Sequence, residues 1–307
     1  MIWVLEDPRA GTAAQALGIA ERLGLPFRRV ALRFGRAAVL PWPWPTLAGL
    51  VDRAAFVPPW PTLVISAGRR AAPVSRWLRA RGARTVHAMR PGAGATDFDL
   101  LVIGAHDQPR PASNVLVIQG AAHRLTPAVL KAAATAFPAL AALPRPITGL
   151  LLGGPVRAEG MPPEMAIRLA ALAGGGAGGG VSVLATTSRR TGAAAADALA
   201  LALAGFPHHL HRWGEPGANP FAAILALADR LIVTADSISM LSEALMTTTP
   251  LLMADPGGLG PRHRAMADGL RASGLAAWVG EPLPPSRAAL DETGRVVAEI
   301  RSRGLLP

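Results

Sequence analysis

The stretch that most restricts how this chain can fold runs from Asp229 to Asp255, DRLIVTADSISMLSEALMTTTPLLMAD. Leu231-Ile232-Val233-Thr234 is a short apolar, β-branched run of the kind buried on both faces of a parallel sheet. Ala235-Asp236-Ser237 supplies a turn and a side-chain oxygen that can cap the first amides of a helix. Ile238, Leu241 and Leu245 recur at helical spacing, and Thr247–Pro250 ends the helix before a second buried run, Leu251–Met253. Strand, helix and strand in that order cross right-handed and leave the intervening loop at the carboxyl edge of the sheet. There the hydroxyls of Ser237 and Ser239 stand where helix amides favour an anion, and Glu243, four residues after Ser239, shares that face. The layout suits a phosphate-bearing ligand that also carries hydroxyls. A capped helix with a solvated glutamate explains the local pattern equally well.

The chain has 307 residues, room for two domains of ordinary size, and half of them are hydrophobic, which argues against wholesale disorder. It has no cysteine, so a disulfide framework, a thiolate nucleophile and a zinc–thiolate site are excluded. The net charge is +11, with Lys131 the only lysine. Arginine stays charged and grips phosphate with two parallel hydrogen bonds. A basic surface attracts anionic lipid, nucleotide or nucleic acid, and charge alone does not choose. Helix-turn-helix, zinc-finger and aromatic RNA-binding patterns are missing, so nucleic acid is not an expected partner. Met1–Asp7 turns acidic too soon for a signal peptide, and no apolar run reaches the ~18 residues of a membrane span. A cytoplasmic protein, peripheral on a membrane at most, is expected.

Along the chain, strand and helix alternate. Ile2–Leu5 reads as a strand, the charged loop through Asp7, Arg9 and Gly11 follows, and Ala13–Leu23 has helical spacing. That loop resembles a nucleotide site without the dinucleotide G-x-G-x-x-G spacing. Capping and solvation account for Asp7 and Arg9 nearly as well. A strand is expected over Arg29–Leu32. Pro41–Pro61 sets Trp42, Trp44 and Trp60 among prolines, which reads either as a membrane-interface loop or, preferably, as a rigid loop packed over the domain. Thr62–Ala67 is a strand ending in Gly68-Arg69-Arg70, a loop suited to an anion or an acceptor. A helix over Val74–Arg81, strands at Thr85–Met89, Leu100–Ile103 and Val115–Ile118, and a helix over Thr126–Ala136 follow. His106, Asp107 and His123 fall in loops after apolar runs, where such folds place chemistry, though a lone loop histidine is more often structural. The histidines lack metal-ligand spacing.

Leu143-Pro144-Arg145-Pro146 breaks the pattern and sets the expected boundary between domains 1–145 and 146–285. Thr148–Leu152 then runs into Gly153-Gly154-Pro155, where a backbone can come close to a ligand. After a helix over Pro163–Ala173, the glycine-rich 174–180 reads as a surface connection, since no Lys-Ser/Thr follows it as a P-loop requires. Val181–Thr186 is a strand, and Thr187-Ser188-Arg189-Arg190-Thr191-Gly192 after it offers two arginines and hydroxyls to an anion. A solvated cationic loop is the plain alternative. A strand within Phe206–Trp213 follows, and then a helix capped by Asn219 with Pro220 at its first position. A helix carrying Arg262, His263 and Arg264 and a last helix over about 286–303 complete the chain.

Several of these motifs together resemble the mitochondrial fission, elongated-mitochondria (ELM-type) family and its bacterial members. They are Asp7-Pro8-Arg9-Ala10-Gly11 with Gln15–Gly18, Ile65–Arg70, Asn114–Gly120 and Ala122–Pro127. In the second half they are Gly153-Gly154-Pro155, Thr187–Thr191, Asn219-Pro220-Phe221 and Val233–Ala244. Met89-Arg90-Pro91-Gly92 departs from a Gln-Asp-Pro-Arg-like run. The resemblance implies a GT-B glycosyltransferase-like fold: α/β, two Rossmann-like domains facing a central cleft, with the 286–307 helix packing back on the first domain. It implies a nucleotide-sugar donor on the second domain. Ser188 with Arg189 or Arg190 would meet the diphosphate. Asp236, Ser237 and Ser239 would present amides and oxygens, Glu243 would bind ribose, and Gly153 and Gly154 would line the cleft. Arg9, Gly11, Gly68 and Arg69 would lie on the acceptor side, with Asp7 the first choice of general base and His123 the second. No metal or cofactor is required, because arginine and helix amides can stabilise a departing diphosphate. Sugar transfer to an acceptor such as an envelope glycolipid is the leading expectation. A membrane-bound adaptor without activity and a nucleotide-sugar epimerase are the alternatives.

Overall fold

Each apolar run pairs in parallel with a neighbour, so the strands are covered on both faces as their composition requires. The computed structural model describes residues 1–155, 160–175, 182–285 and 287–306. The strands β1 (Ile2–Glu6), β2 (Phe27–Ala31), β3 (Leu63–Ala67), β4 (Arg84–Ala88), β5 (Leu100–Gly104) and β6 (Val115–Ile118) form one sheet, ordered β2-β1-β3-β4-β5-β6. The strands β7 (Ile147–Leu152), β8 (Ser182–Thr187), β9 (His208–His211), β10 (Arg230–Thr234), β11 (Leu251–Ala254) and β12 (Ala277–Trp278) form a second, ordered β12-β11-β10-β7-β8-β9. Both are doubly wound orders, in which the chain starts inside the sheet and adds strands on either side. The α/β class expected from the sequence is the class observed.

The helices are α1 (Ala10–Leu23), α2 (Ala72–Arg79), α3 (Pro127–Ala136), α4 (Pro138–Ala141), α5 (Pro163–Ala173), α6 (Ala193–Leu203), α7 (Phe221–Leu227), α8 (Ile238–Ala244), α9 (Pro261–Ala272) and α10 (Glu292–Ser302). Two compact units result: unit 1 is Met1–Arg124 with the segment from Asp291 onward, and unit 2 is Leu125–Leu290. In unit 1, Ile19 and Leu23 of α1 pack with Val296, Val297 and Ile300 of α10 and with Val4 and Ile65 of the sheet. In unit 2, Leu130 and Leu140 join Ile147, Leu231 and Ile224 on one face, while Leu169, Leu199 and Leu203 cover the other.

The division falls at Arg124/Leu125, earlier than the break expected at 143–146. The prolines there introduce β7; helices α3 and α4, which precede them, already lay Leu130 and Leu140 into the core of unit 2. The last helix starts at Glu292, not near 286. Asp291 is its N-cap and accepts from the Gly294 amide at 2.8 Å, whereas the Pro284-Pro285 pair upstream disfavours helix. Ser286 itself and part of the expected 174–180 connection lie outside the described residues, as does Val181 at the start of the expected strand. Helix α7 begins at Phe221, one residue later than expected, with the Asn219 Oδ1 accepting from the Phe221 amide at 3.0 Å. Within 41–61, Trp42 donates from Nε1 to the Ala37 carbonyl at 2.9 Å, and Trp60 packs edge-on to Trp77 at 5.5 Å. Trp44 stays 57% exposed, so the loop packs down only in part.

Candidate functional site

In unit 2, β8 and β9 are added on one side of β7 and β10 to β12 on the other. The order reverses between β7 and β10, and loops leaving the carboxyl ends of strands at such a point diverge to form a crevice. The residues there are Gly153 and Gly154 after β7, Asp236 and Ser237 after β10, and the Ser188–Gly192 loop after the neighbouring β8.

Hydrogen bonds tie these three loops together. The Gly153 amide donates to Thr234 Oγ1 at 2.7 Å, and the Gly154 amide donates to Asp236 Oδ2 at 2.8 Å. Arg190 donates from Nη1 to the Gly154 carbonyl at 2.8 Å and from Nη2 to the Asp236 carbonyl at 3.3 Å. The same guanidinium stands 2.9 Å from Asp236 Oδ2. Thr191 Oγ1 lies 3.0 Å from the Leu152 carbonyl and 2.5 Å from that of Gly153, and accepts from the Ser188 amide at 3.0 Å. Glycine is obligatory at 154, where φ is +155° and a Cβ would stand 2.0 Å from the Arg190 carbonyl oxygen. A Cβ on Gly153 would come within 2.6 Å of both Asp236 carboxylate oxygens.

Asp236 is 3% exposed, and its Oδ1 has no hydrogen-bond partner among the described residues. A carboxylate oxygen removed from water without a donor is costly, and a ligand hydroxyl would remove that cost. The residue lines a pocket of about 420 Å³ together with Pro155, Gly258, Gly260, Pro261, Arg262 and His263. The last three open α9, whose N-cap is Gly260, so the first turn of that helix borders the pocket. Burial holds the His263 imidazole below its ordinary pKa, against the pull of Asp236 and with the push of Arg190 and Arg262. A neutral ring beside a carboxylate can both donate and accept.

Of the other residues expected here, Ser237 is the N-cap of α8 and accepts from the Met240 amide at 3.4 Å. Helix α8 has 7 residues, so its dipole is small. Ser239 is partly exposed and its hydroxyl bonds no described group. Glu243 is partly buried, and burial pushes its carboxyl up to about 7 with no described side chain to pair with it. Arg189 is exposed and forms no ion pair among the described residues, whereas Arg190 is occupied by protein groups.

In unit 1 a second set gathers at the carboxyl ends of the adjacent strands β1 and β3. Asp7, 3% exposed, accepts from Arg70 Nη2 at 2.9 and 3.2 Å and from the Arg9 amide at 2.8 Å. Gly68 has φ +82°, and a Cβ there would press on Thr12 at 2.8 Å. Arg69 and Gly11 are exposed. His123 does not join them. It is buried after β6, at the far edge of the sheet, with its backbone held against Thr293 at 2.9 and 3.1 Å. Burial lowers its imidazole to about 4.

Sequence reasoning left Thr191, Thr234, Arg70 and the start of α9 outside its candidate set. Thr191 and Thr234 each lie inside a named motif, and the Gly260-Pro261 helix start with Arg262 and His263 was a readable signal. The Arg70–Asp7 pair, 63 positions apart, was not.

The family profile described as Mitochondrial fission ELM1 matches residues 10–304. A relative from Arabidopsis thaliana, Mitochondrial fission protein ELM1, is 25% identical over 217 residues, covering 62% of this chain and 51% of the relative. The chain thus spans about half the length of that relative. Among solved structures, Acinetobacter baumannii MurG is 14% identical, with 99% of this chain and 92% of that one covered and a TM-score of 0.52. The spinosyn forosaminyltransferase SpnP, also 14% identical, has the same coverages and a TM-score of 0.54. S. aureus MnaA, solved with UDP, is 10% identical, with 98% and 87% covered and a TM-score of 0.50. Such likeness establishes the fold, which is that of the GT-B glycosyltransferases.

Proposed function

The chain belongs to the mitochondrial fission ELM1 family, and we propose that in this member unit 2 holds a nucleotide-sugar as donor for glycosyl transfer. The observation that carries the reading is the buried Asp236 Oδ1, without a partner among the described residues, in a pocket edged by the first turn of α9. A sugar hydroxyl would satisfy that oxygen. The diphosphate would lie toward Arg189 and Ser188, and Glu243 would take the ribose hydroxyls. Arg190 acts as the clamp that fixes Asp236 and Gly154. The negative charge that develops on the departing diphosphate would meet the Arg189 guanidinium, with no metal in the reading. The UDP carried by S. aureus MnaA, a protein of the same fold, supports a nucleotide as the ligand.

In unit 1, Asp7 is the proposed acceptor-side base, because it stands with Gly68 and Arg70 at the carboxyl ends of β1 and β3, whereas His123 is buried at the far edge of the sheet. The acceptor class that fits a basic chain on the cytoplasmic face of a membrane is a lipid-linked sugar. The adaptor reading draws on the exposed Trp44 loop rather than on the pocket. An epimerase would use the same donor contacts.

A product assay separates the three. The full chain is incubated with UDP-, GDP- and ADP-sugars, with and without a lipid extract. Nucleoside diphosphate released only with extract supports transfer. A changed sugar without extract identifies an epimerase. Neither product, together with no nucleotide binding, leaves the adaptor.

A further inference from the structure

We propose that residues 33–53 of unit 1 form a docking surface for an anionic lipid bilayer, with Val39, Leu40 and Trp44 entering the interface. This surface is independent of the nucleotide reading. Large apolar side chains scattered singly over a surface mean little, but a contiguous exposed group marks an interaction site. Here Val39 is 67% exposed, Leu40 53%, Trp44 57% and Val51 72%.

The segment is fastened while these side chains are left out. The Gly35 amide donates to the Gly49 carbonyl at 3.0 Å, and the Val51 amide donates to that of Arg33 at 2.9 Å. Phe34 and Leu50 form an antiparallel bridge between them. Trp42 is pinned by its bond to Ala37 and holds Trp44 edge-on at 5.8 Å. Arg76 donates to the Pro43 carbonyl at 3.0 Å. Little ordering entropy remains to be lost on docking.

Charge selects the occupant. Arg33, Arg36 and Arg53 are exposed and form no ion pair among the described residues. Asp52 is the one acid in this segment, and it caps the Ala54 amide at 2.9 Å. A second copy of the chain would bring the same arginines face to face and be repelled. An anionic bilayer attracts them, and a tryptophan ring is at home at the headgroup level.

The test is flotation of the full chain, without nucleotide, with phosphatidylcholine vesicles containing about one-third phosphatidylglycerol. The wild-type chain is expected to float with these and not with pure phosphatidylcholine. Val39→Ser/Leu40→Ser/Trp44→Ser should lower partitioning at least roughly tenfold, and each of Arg33→Gln, Arg36→Gln and Arg53→Gln roughly fivefold at low salt. Circular dichroism and thermal melts confirm that the variants fold. The proposal is overturned if the wild type stays with the soluble fraction or if the triple serine variant floats equally well. Self-association that the serine variant abolishes, without vesicle binding, overturns it in favour of a second copy.

Discussion

Arg190 Nη1 stands 2.9 Å from Asp236 Oδ2, and this pair closes the loop after β8 onto the loop after β10. Asp236 is 3% and Arg190 26% exposed at the side chain, so the carboxylate depends on the guanidinium and the Gly154 amide for its hydrogen bonds.

Removing the carboxylate leaves the Gly154 amide and part of the guanidinium unpaired. Asp236→Ala should cost about 3 kcal/mol, the low end for a broken buried pair, because Arg190 keeps some access to water. Urea melts of the two proteins measure it. A change under about 1 kcal/mol would show that the pair is not a clamp.

Gly154→Ala places a methyl group 2.0 Å from the Arg190 carbonyl oxygen on a backbone at φ +155°. The expected loss is about 3 kcal/mol from strain and overpacking. Gly205→Ala has nothing within 4 Å of its new methyl group and serves as the neutral control.

The Glu243 carboxyl has its folded pKa raised from 4.5 to about 7 by burial. The folded protein therefore binds this proton more tightly than the unfolded chain, and stability falls as pH rises through that window. Glu243→Gln should be more stable than wild type by up to about 3 kcal/mol above pH 7, with the gain vanishing near pH 4 to 5. Melts across that range test it. Nucleotide binding to the wild type should strengthen as the carboxylate ionises, and the Gln variant should lack that dependence.

Two buried imidazoles predict acid sensitivity. Burial lowers His87 to about 3 and His123 to about 4, against 6.5 in the unfolded chain. Their contribution is intact above the unfolded value and is lost as pH falls toward the folded ones. His123→Leu should reduce the slope of stability against pH near pH 5 by roughly 1.4 kcal/mol per pH unit. An unchanged slope would mean that the ring is hydrated.

Much of the fold was legible because burial on both faces leaves a plain mark. Leu231–Val233, Leu251–Met253 and Leu150–Leu152 are apolar whichever way they are turned, and each lies in an interior strand. The domain limit was not legible, since Pro144 and Pro146 break helix equally well inside a unit and between units. Strand β12, Ala277–Trp278, is too short to carry a period. At the site, the Gly153-Gly154 and Asp236-Ser237 loops were readable as loops at strand ends. That Arg190 binds protein while Arg189 faces solvent depends on neighbours 36 and 46 positions away, and no local pattern encodes that. Trp44 stays exposed while Trp42 and Trp60 are partly covered, a difference set by Ala37 and Trp77 rather than by the flanking prolines.

Calorimetric titration of the full chain with UDP, GDP, ADP and CMP tests the nucleotide site most directly. One of the four should bind one-to-one, and Glu243→Ala and Arg189→Ala should each weaken it at least roughly tenfold, about 1.4 kcal/mol. Absence of binding by all four to natively folded protein, or binding indifferent to both substitutions, would contradict the account.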